Sequence, residues 1–409
     1  MTQRLLSIAF IGGRGVGGTY SGIETYYEEL GSRLAERGHA VTAYCRPYFT
    51  PGTVSYRGIR VRRVPCVRSK HLETLSHSLL STFDALRRDY DIIQYHAIGS
   101  APLSLLPRLF GRTTILSVRG LDWQRAKWGR FARTALKFGE WASVRCPTST
   151  VVVSRTLQAH YASVHGRTPY FIPNAVVPCE HRAVEKIARH GLRKDGFLLF
   201  AGRLSPEKGV HTLLEAMRPF ADRMKLVLAG GTSYSDGYID HLRQAAWDNV
   251  VFLGNVDRDT MQELYSNCYA YVLPSAMEGL SVGLLEALSY GACILATDIP
   301  ENLEVIGSAG LTFPFGDAGA LRSQLGAILD DPHLVREYRR RATAHAQAQP
   351  DWDEVARRTE GLYYEILEKR GKQQKEQGKR EEESYVFISS QNEIKNERHP
   401  GNEFRALNH

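Results

Sequence analysis

The sequence has little that would tie it to a metal centre, an oxidising compartment or a membrane interior. Its six cysteines, Cys45, Cys66, Cys146, Cys179, Cys268 and Cys293, are scattered, and no two stand at C-x-x-C spacing. That excludes a zinc knuckle or a thioredoxin-type site. It leaves buried free thiols in a reducing compartment, which points to the cytoplasm. No H-E-x-x-H or similar histidine cluster is present, so no metal site is expected. No stretch of about 18 residues is apolar throughout, and the longest, residues 280–297, carries Glu286; a membrane-spanning helix is not expected. The apolar run at residues 5–11 is short and is followed by Gly12-Gly13-Arg14-Gly15 instead of a cleavage site, so it reads as a first strand. No helix-turn-helix, zinc finger or RNP motif points to nucleic acid, and no repeat of solenoid spacing occurs.

What is present is an ordinary globular balance, 43% hydrophobic and 23% charged over 409 residues. A wholly disordered or fibrous chain is excluded, and the length suits two to three domains. The net charge of +8 is unevenly spread. Residues 1–180 hold 24 Lys and Arg against 11 Asp and Glu, a net of +13; the remainder holds 28 against 33, a net of −5. Such asymmetry suggests that one half meets an anionic partner. The densest run is residues 57–70, with Arg57, Arg60, Arg62, Arg63, Arg68 and Lys70. It reads either as a solvated strand edge or as a contact with an anionic membrane surface or a phosphorylated substrate.

Strand-like and helix-like patterns alternate along the chain. Residues 6–11, 41–45, 92–95, 114–118, 149–153 and 170–172 are apolar and strand-like. Ser21 with Glu24 forms a capping box before a helix that Gly38 stops. The alternation then restarts with strands at 197–201, 226–229, 250–252, 270–273 and 293–296 and helices near 210–217, 238–246, 259–267 and 282–289. The fold class is therefore α/β, with two doubly wound domains in tandem. The expected boundaries are residues 1–178, 179–350, a helical segment at 351–370 and a tail at 371–409. Residues 332–370 read as helical. The tail, with seven basic and seven acidic residues and no core periodicity, reads as disordered. In such sheets ligands sit beyond the C-terminal ends of the strands, and two facing sheets make a cleft.

Two motifs carry little chemistry. Gly13-Arg14-Gly15-Val16-Gly17-Gly18 has G-x-G-x-x-G spacing, but the loop is too long for a pyrophosphate turn and the next strand ends in Arg46, not an acid. An NADP site with Arg46 on the ribose phosphate competes with a glycine-rich loop that lets a bulky ligand approach backbone. Asp257-Arg258-Asp259 resembles a metal-holding D-x-D pair, yet it stands directly before a helix, where aspartates cap free amides.

A third pattern is stronger. Glu278-Gly279-Leu280-Ser281-Val282-Gly283 leads into Leu284-Leu285-Glu286-Ala287-Leu288. Amides at that helix start suit a phosphate, and Glu286, one turn in, suits vicinal ribose hydroxyls. Upstream, Gly202-Arg203-Leu204-Ser205-Pro206-Glu207-Lys208-Gly209 places Arg203 and Lys208 at a strand end, where they can clamp a diphosphate.

These residues, with Leu228-Ala229-Gly230-Gly231 and Pro274-Ser275, resemble glycosyltransferase family 4, the retaining enzymes of the GT-B fold. The loop holding Gly12, Gly17, Gly18, Ser21 and Gly22 resembles the family's N-terminal glycine-rich loop. Ile172-Pro173-Asn174-Ala175 resembles its interdomain motif, with Ala175 for the usual glycine. The resemblance covers about residues 6–370. It implies a nucleotide-sugar donor held by the C-terminal domain, with Arg203 and Lys208 on the diphosphate, Glu286 on the ribose and Glu278 on the donor sugar. Gly202, Gly230, Gly279, Leu280, Ser281, Val282 and Gly283 would line the donor. No metal and no other cofactor would be needed. The N-terminal domain, with Gly17, Gly18, Ser21 and Gly22, would take a saccharide or lipid-linked acceptor, and the last helix would cross back to it.

One departure matters. Where the family usually carries a histidine, after the strand at 114–118, this sequence has Arg119, followed by Gly120-Leu121-Asp122-Trp123. That run is similar to bacterial cell-surface polysaccharide glycosyltransferases. Arginine does not accept a proton at neutral pH. His96 is the candidate to take over part of the role, against the alternative of a packed strand-end histidine. A retaining glycosyltransferase in polysaccharide or glycolipid assembly is the expected function. An epimerase- or phosphorylase-like GT-B enzyme and a non-catalytic sugar-nucleotide-binding protein are the alternatives. A cytoplasmic enzyme at the inner face of the membrane is the expected location.

Overall fold

Hydrophobic strands of five or six residues, buried on both faces, form the frame of the molecule. The computed structural model describes residues 4–17, 22–50, 52, 54–69, 72–124, 128–176, 179–231 and 236–397. The first eight strands are β1 (Ser7–Ile11), β2 (Ala40–Cys45), β3 (Ser55–Tyr56), β4 (Ile59–Arg63), β5 (Ile92–His96), β6 (Thr113–Val118), β7 (Ser149–Val152) and β8 (Tyr170–Phe171). They lie in one sheet in the order β3-β4-β2-β1-β5-β6-β7-β8, parallel except at the β3 edge. The next six, β9 (Phe197–Ala201), β10 (Lys225–Ala229), β11 (Val250–Gly254), β12 (Ala270–Leu273), β13 (Cys293–Thr297) and β14 (Leu311–Phe313), form a second parallel sheet in the order β11-β10-β9-β12-β13-β14. The α/β doubly wound class expected from the pattern is the observed one. In each sheet the strand order reverses beside the first strand, which is where such sheets bind ligands.

Around the first sheet lie α1 (Gly22–Glu36), α2 (Glu73–Leu86), α3 (Leu105–Leu109), α4 (Arg130–Ser143) and α5 (Arg155–His165). Around the second lie α6 (Val210–Met217), α7 (Asp236–Ala245), α8 (Arg258–Asn267), α9 (Val282–Ser289), α10 (Pro300–Ile306), α11 (Ala318–Asp330) and α12 (Pro332–Gln347). Local signals set their ends. Ser154 accepts from the Leu157 amide at the start of α5, and Gly166, at φ 61°, stops it. The sequence reads 332–370 as one helical stretch, but α12 ends near Ala348 and α13 (Trp352–Glu397) begins after Pro350, whose ring cannot continue a helix.

Residues 360–409 form a unit separate from residues 1–359. Helix α13 runs on to Glu397, so residues 371–397 are helical and not the unstructured tail that their composition suggests. Lys, Glu, Gln and Arg are strong helix formers, and i,i+4 pairs such as Lys369 with Glu365 support the helix without a core. A polar composition separates poorly between disorder and a solvated helix.

Contacts that join the two sheets within residues 1–359 include the ion pair of Arg258 in α8 with Glu29 in α1 at 3.5 Å and three others. Gly279 lies so close to the loop after β6 that a Cβ there would sit 1.5 Å from the Arg119 carbonyl oxygen. Glu304 of α10 accepts from the Arg155 and Thr156 amides of α5 at 2.6 and 3.0 Å, a carboxylate set on a helix N-terminus. At the start of α13, Trp352 packs edge-on against Tyr26 of α1 and Asp353 pairs with Arg33 at 3.1 Å. The return of the last helix toward the first sheet is thus present at its first turn.

Candidate functional site

The C-terminal ends of β9 and β12 are drawn together by glycines. A Cβ on Gly230 would lie 1.9 Å from the Gly202 carbonyl oxygen, and one on Gly209, at φ 65°, would lie 2.0 Å from that of Pro274. Only hydrogen fits at either position, which explains the glycine after β10 and the one that closes the β9 loop. The loop brings Lys208 onto Glu278, and the two form an ion pair with both side chains about nine-tenths buried. Arg203 lies half-buried on the same loop.

Beyond Glu278 the chain crosses Gly279 and Leu280 to Ser281, whose hydroxyl accepts from the Leu284 amide at 3.3 Å and starts α9. A Cβ on Gly283 would meet the Tyr271 hydroxyl at 2.5 Å, so glycine allows the first turn to settle on β12. One turn later Glu286 is buried, and its Oε1 has no hydrogen-bond partner among the described residues. Burial pushes its carboxyl up to about 8. The solvated-helix alternative for Glu286 is excluded. A buried carboxyl oxygen without a partner, one turn into a helix at a strand end, marks a candidate ligand site.

Sequence reasoning passed over Glu207, which is buried with neither carboxylate oxygen hydrogen-bonded, and Ser205, whose hydroxyl is likewise buried without a partner. Both stand in the Arg203–Lys208 loop, and no local pattern distinguishes a buried Glu there from an exposed one.

Across the joint, Arg119 projects from the end of β6. Its guanidinium lies over the Tyr26 ring at 3.5 Å and donates to Asn174 Oδ1 at 2.7 Å. Its Nε and Nη2 are buried without hydrogen-bond partners among the described residues. Burial lowers its pKa from the usual arginine value, with Tyr26 acting in the opposite direction. Asn174 belongs to the Ile-Pro-Asn-Ala run; the sequence flags that run without giving Asn174 a task, and the structure shows it orienting Arg119.

His96 does not reach this opening. It is fully buried, ringed by Phe10, Tyr26 and Tyr27 at centroid distances of 5.6, 5.4 and 4.6 Å, and neither ring nitrogen has a partner. Burial, reinforced by the Arg119 charge, holds it well below the usual histidine pKa. It packs at the strand end, the alternative arrangement weighed for it, and the pattern that put a histidine there cannot see the three rings that close over it.

The glycine-rich loop after β1 is also more inward than its spacing suggests. The Gly13 amide donates to the Tyr27 hydroxyl at 2.8 Å, and the Gly17 amide donates to Glu28 at 2.8 Å. Glu24 accepts from Arg14 Nε at 3.1 Å. Gly22 opens α1 as expected, whereas Gly18 and Ser21 lie outside the described residues. Arg46 is buried and paired with Glu73 at 3.2 Å and Thr74 at 2.9 Å, so it is occupied within the fold and the NADP alternative loses its phosphate partner.

Asp257 caps α8, accepting from the Thr260 amide at 2.7 Å, and that bond holds its carboxyl down to about 2. Lys186 pairs with Asp257 at 3.2 Å and Asp259 at 3.0 Å. The capping reading of this pair is the observed one. In the basic run, Arg57 pairs with Glu29 at 2.9 Å and Arg62 with Asp84 at 2.7 Å, while Arg68 stacks over Tyr48 at 4.7 Å. Lys70 lies outside the described residues.

Residues 184–349 match the family described as glycosyl transferases group 1, and residues 21–193 match the glycosyl transferase 4-like domain. The chain is 27% identical to the O-antigen chain mannosyltransferase B of Escherichia coli over 47% of its own length and 51% of that protein's. The chain thus spans about half the length of that relative. Its fold is similar to sucrose-phosphate synthase from Thermosynechococcus elongatus, with a TM-score of 0.75 at 23% identity over 88% of this chain and 99% of that one. It is also similar to an Anabaena protein crystallised with UDP-glucose, with a TM-score of 0.72 at 17% identity over 87% and 99%.

Proposed function

The chain belongs to the group 1 glycosyltransferases, and we propose that it moves a sugar, with retention, from a nucleoside diphosphate to a saccharide hydroxyl in polysaccharide or glycolipid assembly. The observation that carries this reading is the buried Glu286 carboxyl, whose Oε1 has no partner among the described residues, one turn beyond the Ser281-capped start of α9, together with the Lys208–Glu278 pair of the same sheet's loop ends. A carboxylate there accepts from both ribose hydroxyls. The α9 start, with Gly279, Leu280, Ser281, Val282 and Gly283, offers amides to the phosphates. The mannosyltransferase name of one relative and the UDP-glucose of one solved neighbour agree with this substrate class.

In the proposed reaction Lys208 leaves Glu278 for the diphosphate, and Arg203 joins it. Glu278 is then free to hold the donor sugar. The bond from the anomeric carbon to the phosphate oxygen breaks and the bond to the acceptor oxygen forms on the same face. The acceptor's proton leaves with the phosphate. Charge growing on that oxygen meets cations already in place, which lowers the barrier without a metal. Arg119, held by Asn174 and Tyr26, lies on the acceptor side, where it binds an anionic or hydroxyl group and carries no proton. The acceptor is a saccharide, lipid-linked and presented at an anionic membrane that the basic first half approaches.

A thermal-shift screen of UDP-, GDP-, dTDP- and ADP-sugars tests the donor side. One of them should raise stability by about 2.7 kcal/mol at 100 times its Kd, and the gain should survive EDTA. No shift with any of the four would remove the reading.

A further inference from the structure

We propose that the outer face of α2, α3 and α4 docks on an anionic lipid bilayer by inserting apolar side chains among the headgroups. The inference rests on the peripheral-membrane part of the reading above and moves the contact from the β4 arginines to these helices.

Helix α2 is built inside out. Its buried side carries His77, Ser78, Ser81 and Thr82, and the Ser78 and Ser81 hydroxyls have no partners among the described residues. Its exposed side carries Leu75, Leu79, Leu80 and Phe83. A helix in contact with water alone presents the opposite arrangement. Beside it, α3 and the residue after it expose Leu109 at 73% and Phe110 at 68%. Helix α4 exposes Phe131 at 90%, with Phe138 and Trp141 seven and ten residues on, which places all three on one stripe. Phe138 and Trp141 stack at 5.5 Å, and Arg145 lies over Trp141 at 4.6 Å. Ala85 of α2 and Ala142 of α4 share one buried cluster with β1, β5 and β6, and both helices adjoin the 3-10 segment before α3, so the three helices form one layer.

Charge selects the occupant. Residues 125–145 hold six basic residues and one acid, Glu140. Glu140 is buried and fully engaged by His160 at 2.7 Å, His165 at 2.9 Å and Trp123 at 2.6 Å. On α2, Glu73 pairs with Arg46, and Asp84 is tied to Arg62 and Arg88. Arg130, Arg133 and Lys137 therefore flank the aromatic stripe without an exposed acid on their own helix. Aromatic residues between cations, on helices too polar to span, are the pattern of a segment lying in a bilayer interface. No helix among the described residues is long and apolar enough to cross a membrane.

The test is co-sedimentation of the full chain with phosphatidylglycerol-rich vesicles and with phosphatidylcholine vesicles. The chain should bind the anionic vesicles at low salt and weaken toward physiological salt. The triple substitution Phe131→Ser, Phe138→Ser and Trp141→Ser should reduce binding by roughly tenfold or more. The pair Arg130→Glu and Arg133→Glu should do the same. All five are exposed, so melting temperature and the shift given by the donor should stay as in the wild type. Arg62→Glu with Arg63→Glu should have the smaller effect on vesicle binding. Wild-type protein that ignores anionic vesicles overturns the proposal, as does loss of binding in the Arg62 and Arg63 variant alone. Sedimentation showing a dimer that the serine variant dissolves, without vesicle binding, gives the face to a second copy and also overturns it. A missing donor shift with vesicle binding intact removes the catalytic reading and leaves this one standing.

Discussion

The two sheets share one architecture and differ in what they expose. Sixteen of the eighteen large apolar side chains exposed among the described residues precede residue 165; Leu303 and Phe315 are the two that follow. The first half also carries the positive charge, +13 against −5. The second half is well covered outside; buried polar atoms without partners among the described residues occur in both halves, and in the second Glu286, Glu207 and Ser205 stand at the loop ends of the sheet. An apolar, basic exterior suits a surface, and polar groups buried without partners suit a small ligand. The proposed division between acceptor delivery and donor binding rests on this difference in exterior.

The largest effect expected from breaking this division lies at the β9 loop. Arg203→Ala and Lys208→Ala should each lower kcat by roughly 10²–10³-fold if they stabilise the leaving phosphate. Turnover that stops with EDTA and returns with Mn²⁺ would assign the task to a metal instead.

Next in size is the joint between the halves. Gly279→Ala would push a methyl into the Arg119 carbonyl, so the loops must separate. A loss on the order of 1–3 kcal/mol in thermal stability is expected, with weaker donor binding. An unchanged melting temperature would show that the joint opens freely.

Removing the ribose partner comes third. Glu286→Ala should weaken nucleotide affinity by about 1.5–3 kcal/mol and leave the fold intact. The acid also sets a pH dependence. Its carboxyl is raised from the usual 4.5 to about 8 by burial, so ionisation opposes folding. The contribution is absent below pH 4.5, and stability should fall as pH rises from there to about 8. Glu286→Gln should flatten that slope in thermal melts taken across the range.

Asp257→Ala is the smallest: it removes a helix cap worth about 1 kcal/mol and should spare turnover.

Much of this was legible in the sequence because it depends on spacing. The strand-helix alternation and the Asp257 cap follow from periodicity and local backbone demands. The Arg203, Lys208, Glu278 and Glu286 constellation was readable for the same reason, since each residue stands at a fixed offset from a strand end. What escaped was set by contacts across the chain. Tyr26, Tyr27 and Phe10 close over His96 from two separate elements, and Asn174 meets Arg119 from 55 residues away. The reversed polarity of α2 escaped too, because periodicity shows that a helix has two faces but not which one meets the sheet. The helical residues 371–397 were hidden by a composition that serves helix and disorder alike.

In the proposed reading Glu286 receives the nucleotide's ribose from within the second half. Calorimetric titration of the bare nucleotide selected in the screen, from pH 6 to 8, tests it most directly. Ribose hydroxyls favour the ionised carboxylate, so binding should release a proton below about pH 8 and tighten as pH rises. In Glu286→Gln both the proton release and the pH slope should disappear. Equal affinity in the two proteins, independent of pH, would contradict the account.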